Sequence, residues 1–316
     1  MPEFITIGEP LVVFASDELD LPLTRAVHFK KFLAGAELNV AIGLSRLGYD
    51  TAYVAKVGQD SLGNFIRTEL EKSGVGDTFI TQVSDYPTGF YLKEKVSNGD
   101  PKVEYFRKES AATHFDLEQL TNVDLSQIKV AHLTGIMAAI SENGLTAVRS
   151  LLTELAMTDT LTVFDPNLRP ALWQSEEVMR ETLNDLAKSA KIILPGISEG
   201  RVLTGLSRLS DIADFYLNQS EITQTVIIKN GSEGAYVKSK NGAIFTVEGY
   251  QVAHVVDTVG AGDGFAAGLI SGLLDQETLR VSVQRACAIG AFAVQSVGDN
   301  NGYPNRQVLE AFMHSS

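Results

Sequence analysis

From about residue 130 the sequence alternates between short runs rich in Val and Ile and longer amphipathic stretches, and this alternation constrains the fold more than any other feature. KVAHLTGI is followed by ENGLTAVRSLLTELA, LTVFDPN by SEEVMRETLNDLAKSA, and KIILPGI by SEGRVLTG, with TQTVIIKNG as a further apolar strand. Strands that are apolar at nearly every position need cover on both faces, which a parallel sheet sandwiched between helices provides. Upstream, FITIGEPLVVFA reads as a buried opening strand and TAYVAKVG as a second. Leu38, Ala41, Ile42 and Leu47 have helical spacing up to the stop at Gly48, and SLGNFIRTELEKSG is a helix closed by glycine. TGFYLKEKV and KVEYFRKES alternate with period two around SNGDP, whose Asn98-Gly99 pair signals a hairpin. YQVAHVVD reads as a late strand, and the helical segments DGFAAGLISGLL, TLRVSVQRACAIGAFAVQSV and NRQVLEAFM complete the chain. The expectation is one α/β domain over 1–316: a doubly wound, mostly parallel sheet flanked by helices, with a small β-sheet lid from about 11–33 and 85–112.

The 316 residues carry a formal net charge of −13, a balance that repels nucleic acid and anionic membrane and points to a small-molecule partner. No stretch approaches the roughly 18 continuous apolar residues of a membrane span, and MPEFITIGEP lacks the layout of a signal peptide. The one cysteine, Cys287, lies in the apolar RACAIGAFAV and reads as a packed core thiol, so a reducing, cytoplasmic setting is expected. His28, His114, His132, His254 and His314 show no metal-ligand spacing. Glu176 and Glu177 read as first-turn acids of a helix, and Trp173 as packing.

The segment from Asp257 to Phe265, DTVGAGDGF, places three glycines around an acid at a strand-to-helix turn. There the amides of Gly260, Ala261 and Gly262 can turn toward one point at a helix N-terminus, where free N–H groups and the helix dipole favour an anion. Asp263 falls in the first turn. Taken alone, the same residues also read as a capping acid after a flexible turn, and the local physics names no reaction.

The whole string resembles the C-terminal signature of the ribokinase-like (PfkB) family of sugar kinases. The stretch from Ala34 to Ala41, AGAELNVA, resembles that family's N-terminal motif, with Ala34 in place of its first glycine. The resemblance extends over essentially the whole chain, and the β-excursion matches the family's lid. It implies that Asp263 is the base that takes a proton from a substrate hydroxyl, while Gly260, Ala261 and Gly262 stabilise the transferring phosphoryl group. It further implies ATP and Mg²⁺, with Lys229, Asn230, Gly231 and Gly234, together with Gly260 and Gly262, on the nucleotide side. Glu199 would organise Mg²⁺ indirectly, and Asp257 and Thr258 match positions that hold a monovalent cation, K⁺, in some members. The family's N-x-x-E appears as Gly196-Ile197-Ser198-Glu199, so the asparagine is missing.

For the substrate, Gly35 allows close approach to the backbone. Tyr105 and Arg107 stand two apart on one strand face, with Tyr91 expected across the hairpin, and Arg169 follows a strand end. Two arginines beside two tyrosines suit a planar carboxylate; a solvated strand face and ordinary lid packing are the plainer reading of the lid residues. Combined with Glu37, Leu38 and Asn39, these residues resemble the 2-keto-3-deoxygluconate kinases within the family. The resemblance then implies Gly35, Glu37, Asn39, Tyr91, Tyr105, Arg107, Arg169 and Asp263 as the substrate site. Fructokinase, another kinase of the family, or a non-catalytic sugar-acid sensor are the alternatives. An exposed lid sheet would favour a homo-oligomer, a dimer through the lid or a larger assembly.

Overall fold

The computed structural model describes residues 1–99, 101–296 and 298–314. Asp100 in the expected SNGDP turn, Val297 at the end of the expected helix TLRVSVQRACAIGAFAVQSV, and residues 315–316 lie outside the described residues. The chain opens with β1 (Phe4–Ile7), β2 (Leu11–Leu19), β3 (Phe29–Ala34), α1 (Ala36–Arg46), β4 (Thr51–Gly58) and α2 (Ser61–Ser73). There follow β5 (Ile80–Val83), β6 (Phe90–Lys95), β7 (Val103–Phe106), β8 (Val130–Thr134), α3 (Gly135–Ile140), α4 (Glu142–Ala156), β9 (Leu161–Asp165) and α5 (Glu176–Ala187). The last part holds β10 (Ile192–Ile193), α6 (Ile197–Thr204), α7 (Leu209–Asn218), β11 (Thr225–Lys229), β12 (Ala235–Ser239), β13 (Ile244–Val247), α8 (Ala261–Leu274), α9 (Leu279–Ala293) and α10 (Arg306–His314).

Nine strands form the main sheet in the order β13-β12-β11-β10-β9-β8-β1-β4-β5. Every pair from β11 to β5 is parallel, and β12 and β13 add an antiparallel edge. One face packs Ile5, Ile7, Val54, Leu133, Phe164 and Ile228 against α4, α5, α6 and α7. The other packs Phe4, Tyr53, Val130, Val163 and Ile227 against α1, α2, α8 and α9. Both faces are thus buried, as the apolar strands require. Cys287 lies in this second layer, where burial pushes its thiol up to about 12. Within α8, a Cβ at Gly268 or Gly272 would stand 2.5 Å from the Arg285 carbonyl or 2.4 Å from Ser282 Oγ. These helical glycines therefore let α9 approach backbone to backbone.

The second sheet has the order β3-β2-β6-β7, and its β6–β7 hairpin places Tyr91 directly opposite Tyr105. Three expected elements differ. KVEYFRKES is a strand only over Val103–Phe106, so Arg107, expected to share a strand face with Tyr105, lies just past the strand's end. FITIGEPLVVFA is two strands: β1 belongs to the main sheet and β2 to the small one, with the break at Gly8-Glu9-Pro10. Pro10 has no N–H to continue a ladder, so the chain changes sheets there. YQVAHVVD is an extended loop rather than a strand. Its Val256 N–H donates to the Val294 carbonyl at the end of α9 (2.7 Å), and Val255 and Val256 are more than half exposed. A β-branched run has strand propensity, but without a neighbouring ladder that propensity is not realised. The short strands β12 and β13 and helix α7 are elements that the sequence pattern did not indicate.

Candidate active site

Gly260 caps α8 with φ 79°, a left-handed conformation that a residue with a Cβ adopts only at a cost. A Cβ there would also strike the Asp299 carbonyl, and the Gly260 carbonyl accepts from Tyr303 Oη at 2.6 Å. The Ala261 amide points back to the Thr258 carbonyl across a long 3.4 Å bond, so this amide serves the turn. The amides of the first turn that follows carry the helix's open donor end. Gly262 has open space in front of it: the nearest atom to a Cβ built there is Lys229 Nζ, 3.7 Å away.

Asp263 sits in this first turn. Burial, helped by Asp165 and Asp299 and opposed by Asn39 and Arg169, pushes its carboxyl up to about 7. Asn39 Nδ2 donates to Asp263 Oδ2 at 2.8 Å, and Asn300 Nδ2 donates to Asn39 Oδ1 at 2.8 Å. Asn39, expected on the sugar, is buried and engaged with these two residues. Lys229, at the end of β11, pairs with Asp165 at the end of β9 (Nζ–Oδ2 2.5 Å). Burial by itself would lower the Lys229 ammonium, but Asp165, Glu199 and Asp263 outweigh it and hold the group above its ordinary value. A fixed cation thus stands next to a helix N-terminus and a carboxyl poised near neutrality, a combination suited to holding an anion while removing a proton.

In the turn that the resemblance assigned to the nucleotide, Asn230 N–H donates to the Gly234 carbonyl (2.8 Å), and Gly231 (φ 58°) and Gly234 (φ 93°) shape the backbone. A depression of about 740 Å³ lies there, lined by Ile197, Arg201, Arg208, Gly231 and Tyr236. Both oxygens of Glu199 are taken by backbone donors: Gly196 N–H at 2.6 Å and Leu168 N–H at 2.8 Å. Where the family pattern has asparagine, Gly196 lets Glu199 cap α6 and at the same time brace the 165–169 loop. That loop carries Asn167 at φ 41° and the exposed Arg169.

On the lid side, Tyr91 and Tyr105 have ring centroids 5.0 Å apart. Tyr91 is buried, with burial raising its phenol, and Tyr105 is 54% exposed. Arg107 lies 5.6 Å from the Tyr105 ring and is already paired: its guanidinium contacts the buried carboxylate of Glu9, which also accepts from Ser110 Oγ at 2.7 Å. Burial nonetheless keeps Glu9 above the usual carboxylate range, with Arg107 and Ser110 pulling it back. Glu37 is only 1% exposed; its carboxylate accepts from Thr134 Oγ1 beneath Gly8, and burial pushes it up to about 7. Gly35 has φ 139°, and a Cβ there would stand 2.8 Å from the Glu9 carbonyl. Asp257 accepts from Val259 N–H (3.1 Å) and faces Lys93 of the lid at 3.6 Å, while Thr258 contributes its carbonyl to the turn. A cavity of about 810 Å³ opens between the small sheet and the main body, lined by Val13, Phe32, Tyr91, Lys93, Asp257 and Asp299. Its lining stops short of Asp263, Arg107 and Arg169.

Sequence reasoning missed Glu9, Lys93, Asp165, Asp299 and Asn300. Glu9 and Asp165 did carry a signal, an acid placed within or at the end of an otherwise apolar run. Among the described residues no group of His, Cys, Asp and Glu is placed to hold a metal ion, and no helix is long and apolar enough to cross a membrane.

Residues 1–306 match the family model described as pfkB family carbohydrate kinase. A 2-dehydro-3-deoxygluconokinase of Bacillus subtilis (strain 168) is 43% identical over 310 residues, covering 98% of this chain and 94% of that protein. The crystal structure of a PfkB protein from Polaromonas sp. JS666 superposes with a TM-score of 0.89 at 39% identity, covering 98% of this chain and all of the other. An E. coli protein provisionally described as a ribokinase II, solved in complex with ATP and Mg²⁺, superposes with a TM-score of 0.90 at 25% identity, with full coverage of both chains.

Proposed function

The chain belongs to the pfkB family of carbohydrate kinases, and from that premise we propose that it phosphorylates the terminal (C6) hydroxyl of 2-keto-3-deoxygluconate, using ATP, to give 2-keto-3-deoxy-6-phosphogluconate. The substrate assignment is supported by the 43% identical relative of that activity, since 2-dehydro-3-deoxygluconate is the same sugar acid. The observation that carries the mechanism is the placement of Asp263, a buried carboxyl in the first turn of α8, next to Gly262 and the Lys229 ammonium.

ATP with Mg²⁺, when bound, would supply the phosphoryl group, and the metal would need few protein ligands because magnesium keeps much of its water. Asp263 takes the proton of the substrate hydroxyl as that oxygen forms its bond to phosphorus and the bond to the leaving phosphate oxygen breaks. The first-turn amides of α8 and Lys229 stabilise charge on the transferring group. Glu199, with both oxygens held by backbone N–H groups, would stand behind the water shell of Mg²⁺ rather than bind the ion directly. Asn230, Gly231 and Gly234 form the nucleotide-side turn. Arg169 and Arg107, with Tyr91 and Tyr105, hold the sugar's carboxylate end, and Gly35 lets the substrate lie against the main chain. Lid closure excludes water that would otherwise hydrolyse ATP. The enzyme works in the cytoplasm as a dimer through the lid, whose Phe14, Phe90 and Phe106 form an aromatic row with Phe106 half exposed.

One observation favours fructose as a second reading: Glu9 already neutralises Arg107, which leaves Arg169 as the freer cation for a carboxylate. Turnover with 2-keto-3-deoxygluconate, its C4 epimer, fructose and gluconate, each with ATP, separates the readings. A higher kcat/KM for fructose than for either keto acid overturns the substrate assignment.

A further inference from the structure

Asn39 and Asn300 form a chain of two amides that ends on Asp263, although they lie far apart in sequence. An ionised carboxylate can only accept hydrogen bonds, so the Asn39 amide must present its NH₂ to Asp263. The opposite assignment of oxygen and nitrogen would place the Asn39 carbonyl oxygen against the carboxylate oxygen. The orientation is enforced from behind: Asn300 Nδ2 donates to Asn39 Oδ1 at 2.8 Å, and both asparagines are buried. The Asn300 backbone is anchored in turn by the guanidinium of Arg46, which donates to its main-chain carbonyl. Three residues further on, Tyr303 Oη holds the Gly260 carbonyl at 2.6 Å. The loop after α9 therefore fixes both the acid and the turn beside it.

We propose that Asn39 and Asn300 are positioning residues for Asp263, with Asn300 setting the amide orientation through which Asn39 keeps that carboxylate aimed and charged. This rests on the reading of Asp263 as the base. The need for such help is visible in the surroundings. Asp263 is buried and faces Asp165 from β9 and Asp299 from the loop after α9, which oppose its ionisation; Arg169 favours ionisation, Lys229 from β11 is a further nearby cation, and Tyr303 stands close by. Asn39 also counters the burial that raises the neighbouring Asp299 carboxyl. A hydrogen bond to a charged group is of a strength that moves a titration by about one pH unit.

The test is the pH dependence of kcat/KM for the sugar substrate in wild type, Asn39→Ala, Asn300→Ala, Asp299→Asn and Asp263→Asn. In the first two variants the acidic limb should move up by about one pH unit, with activity largely recovered above it and sugar KM within about twofold of wild type. Asp299→Asn should keep a limb and move it to lower pH, because a like charge has been removed. An unmoved limb in Asn300→Ala overturns the proposal, as does a large rise in sugar KM with an unmoved limb in Asn39→Ala, which would return Asn39 to the substrate. Loss of the limb in Asp299→Asn overturns it too, by assigning the titration to Asp299. Asp263→Asn distinguishes this failure from failure of the underlying reading: near-normal turnover there removes Asp263 as base, whatever the amides do. Should Asn39→Ala not fold, Asn300→Ala alone decides, since its side chain does not touch Asp263.

Discussion

Lys229 Nζ lies 2.5 Å from Asp165 Oδ2 and is the nearest atom, at 3.7 Å, to where a side chain at Gly262 would begin. A single ammonium thus neutralises a buried acid at the end of β9 and stands beside the open turn of α8. Lys229→Met should lower kcat by about 10²–10³, in the range seen when one donor to a developing charge is removed. It should also cost about 3–5 kcal/mol of stability by leaving Asp165 uncompensated. The double variant Lys229→Met/Asp165→Asn should recover melting temperature but not turnover, as calorimetry and an ATP-coupled assay would show.

Asp263 links function to stability with a definite sign. Its folded pKa, about 7, lies above the ordinary 3.8, so its favourable contribution is complete below the ordinary value and is lost as pH rises through 7. Asp263→Asn should therefore be more stable than wild type above pH 7, by at most about 4 kcal/mol for a three-unit shift, and similar to it near pH 4. The same variant should lose about 10²–10⁴ in kcat while still binding sugar. Denaturant midpoints that keep the same difference at both pH values would contradict the buried, raised carboxyl.

The two glycines of the turn should behave differently. Gly260→Ala places a methyl group on the Asp299 carbonyl at φ 79° and should disrupt the turn, with loss of both melting temperature and activity. Gly262→Ala meets only Lys229 Nζ at 3.7 Å, so the fold should hold while the methyl group intrudes where a phosphoryl group is to sit. A folded Gly262→Ala protein with wild-type KM for ATP and wild-type kcat would rule out that turn as the anion site.

Arg107→Ala would remove the proposed partner of the substrate carboxylate and also leave the buried Glu9 without its cation. The expected loss in kcat/KM is about 10–100-fold for sugar acids, from one charged hydrogen bond, and much smaller for fructose. The paired change Arg107→Met/Glu9→Gln should restore thermal stability without restoring the preference for acids. Equal losses on fructose and 2-keto-3-deoxygluconate in Arg107→Ala would remove the carboxylate contact.

Lys93 and Asp257 form a 3.6 Å pair that joins β6 of the small sheet to the segment leading into Gly260, which under the proposed function would link the lid to the anion turn. Lys93→Met should raise the KM for sugar and increase ATP hydrolysis without sugar, a sign of looser closure. An unchanged hydrolysis-to-transfer ratio would remove the latch.

The sequence by itself determined the layers and the turn. Apolar period and glycine placement act over a few neighbouring residues, so the parallel sheet, the β6–β7 hairpin and the helix N-terminus carrying Asp263 were legible without coordinates. Locality also explains the failures: the FITIGEPLVVFA run looked continuous because strand propensity does not say which sheet accepts the strand, and YQVAHVVD lacked a partner that no local pattern could supply. Only the tertiary structure decided the state of the charges. Asn39 reaches Asp263 across 224 residues of chain, Glu9 meets Arg107 at the base of the lid, and Lys229 finds Asp165 between two strand ends. Whether a carboxyl is poised near neutrality or a guanidinium is free depends on which groups share its desolvated space, and that is fixed when distant segments pack together.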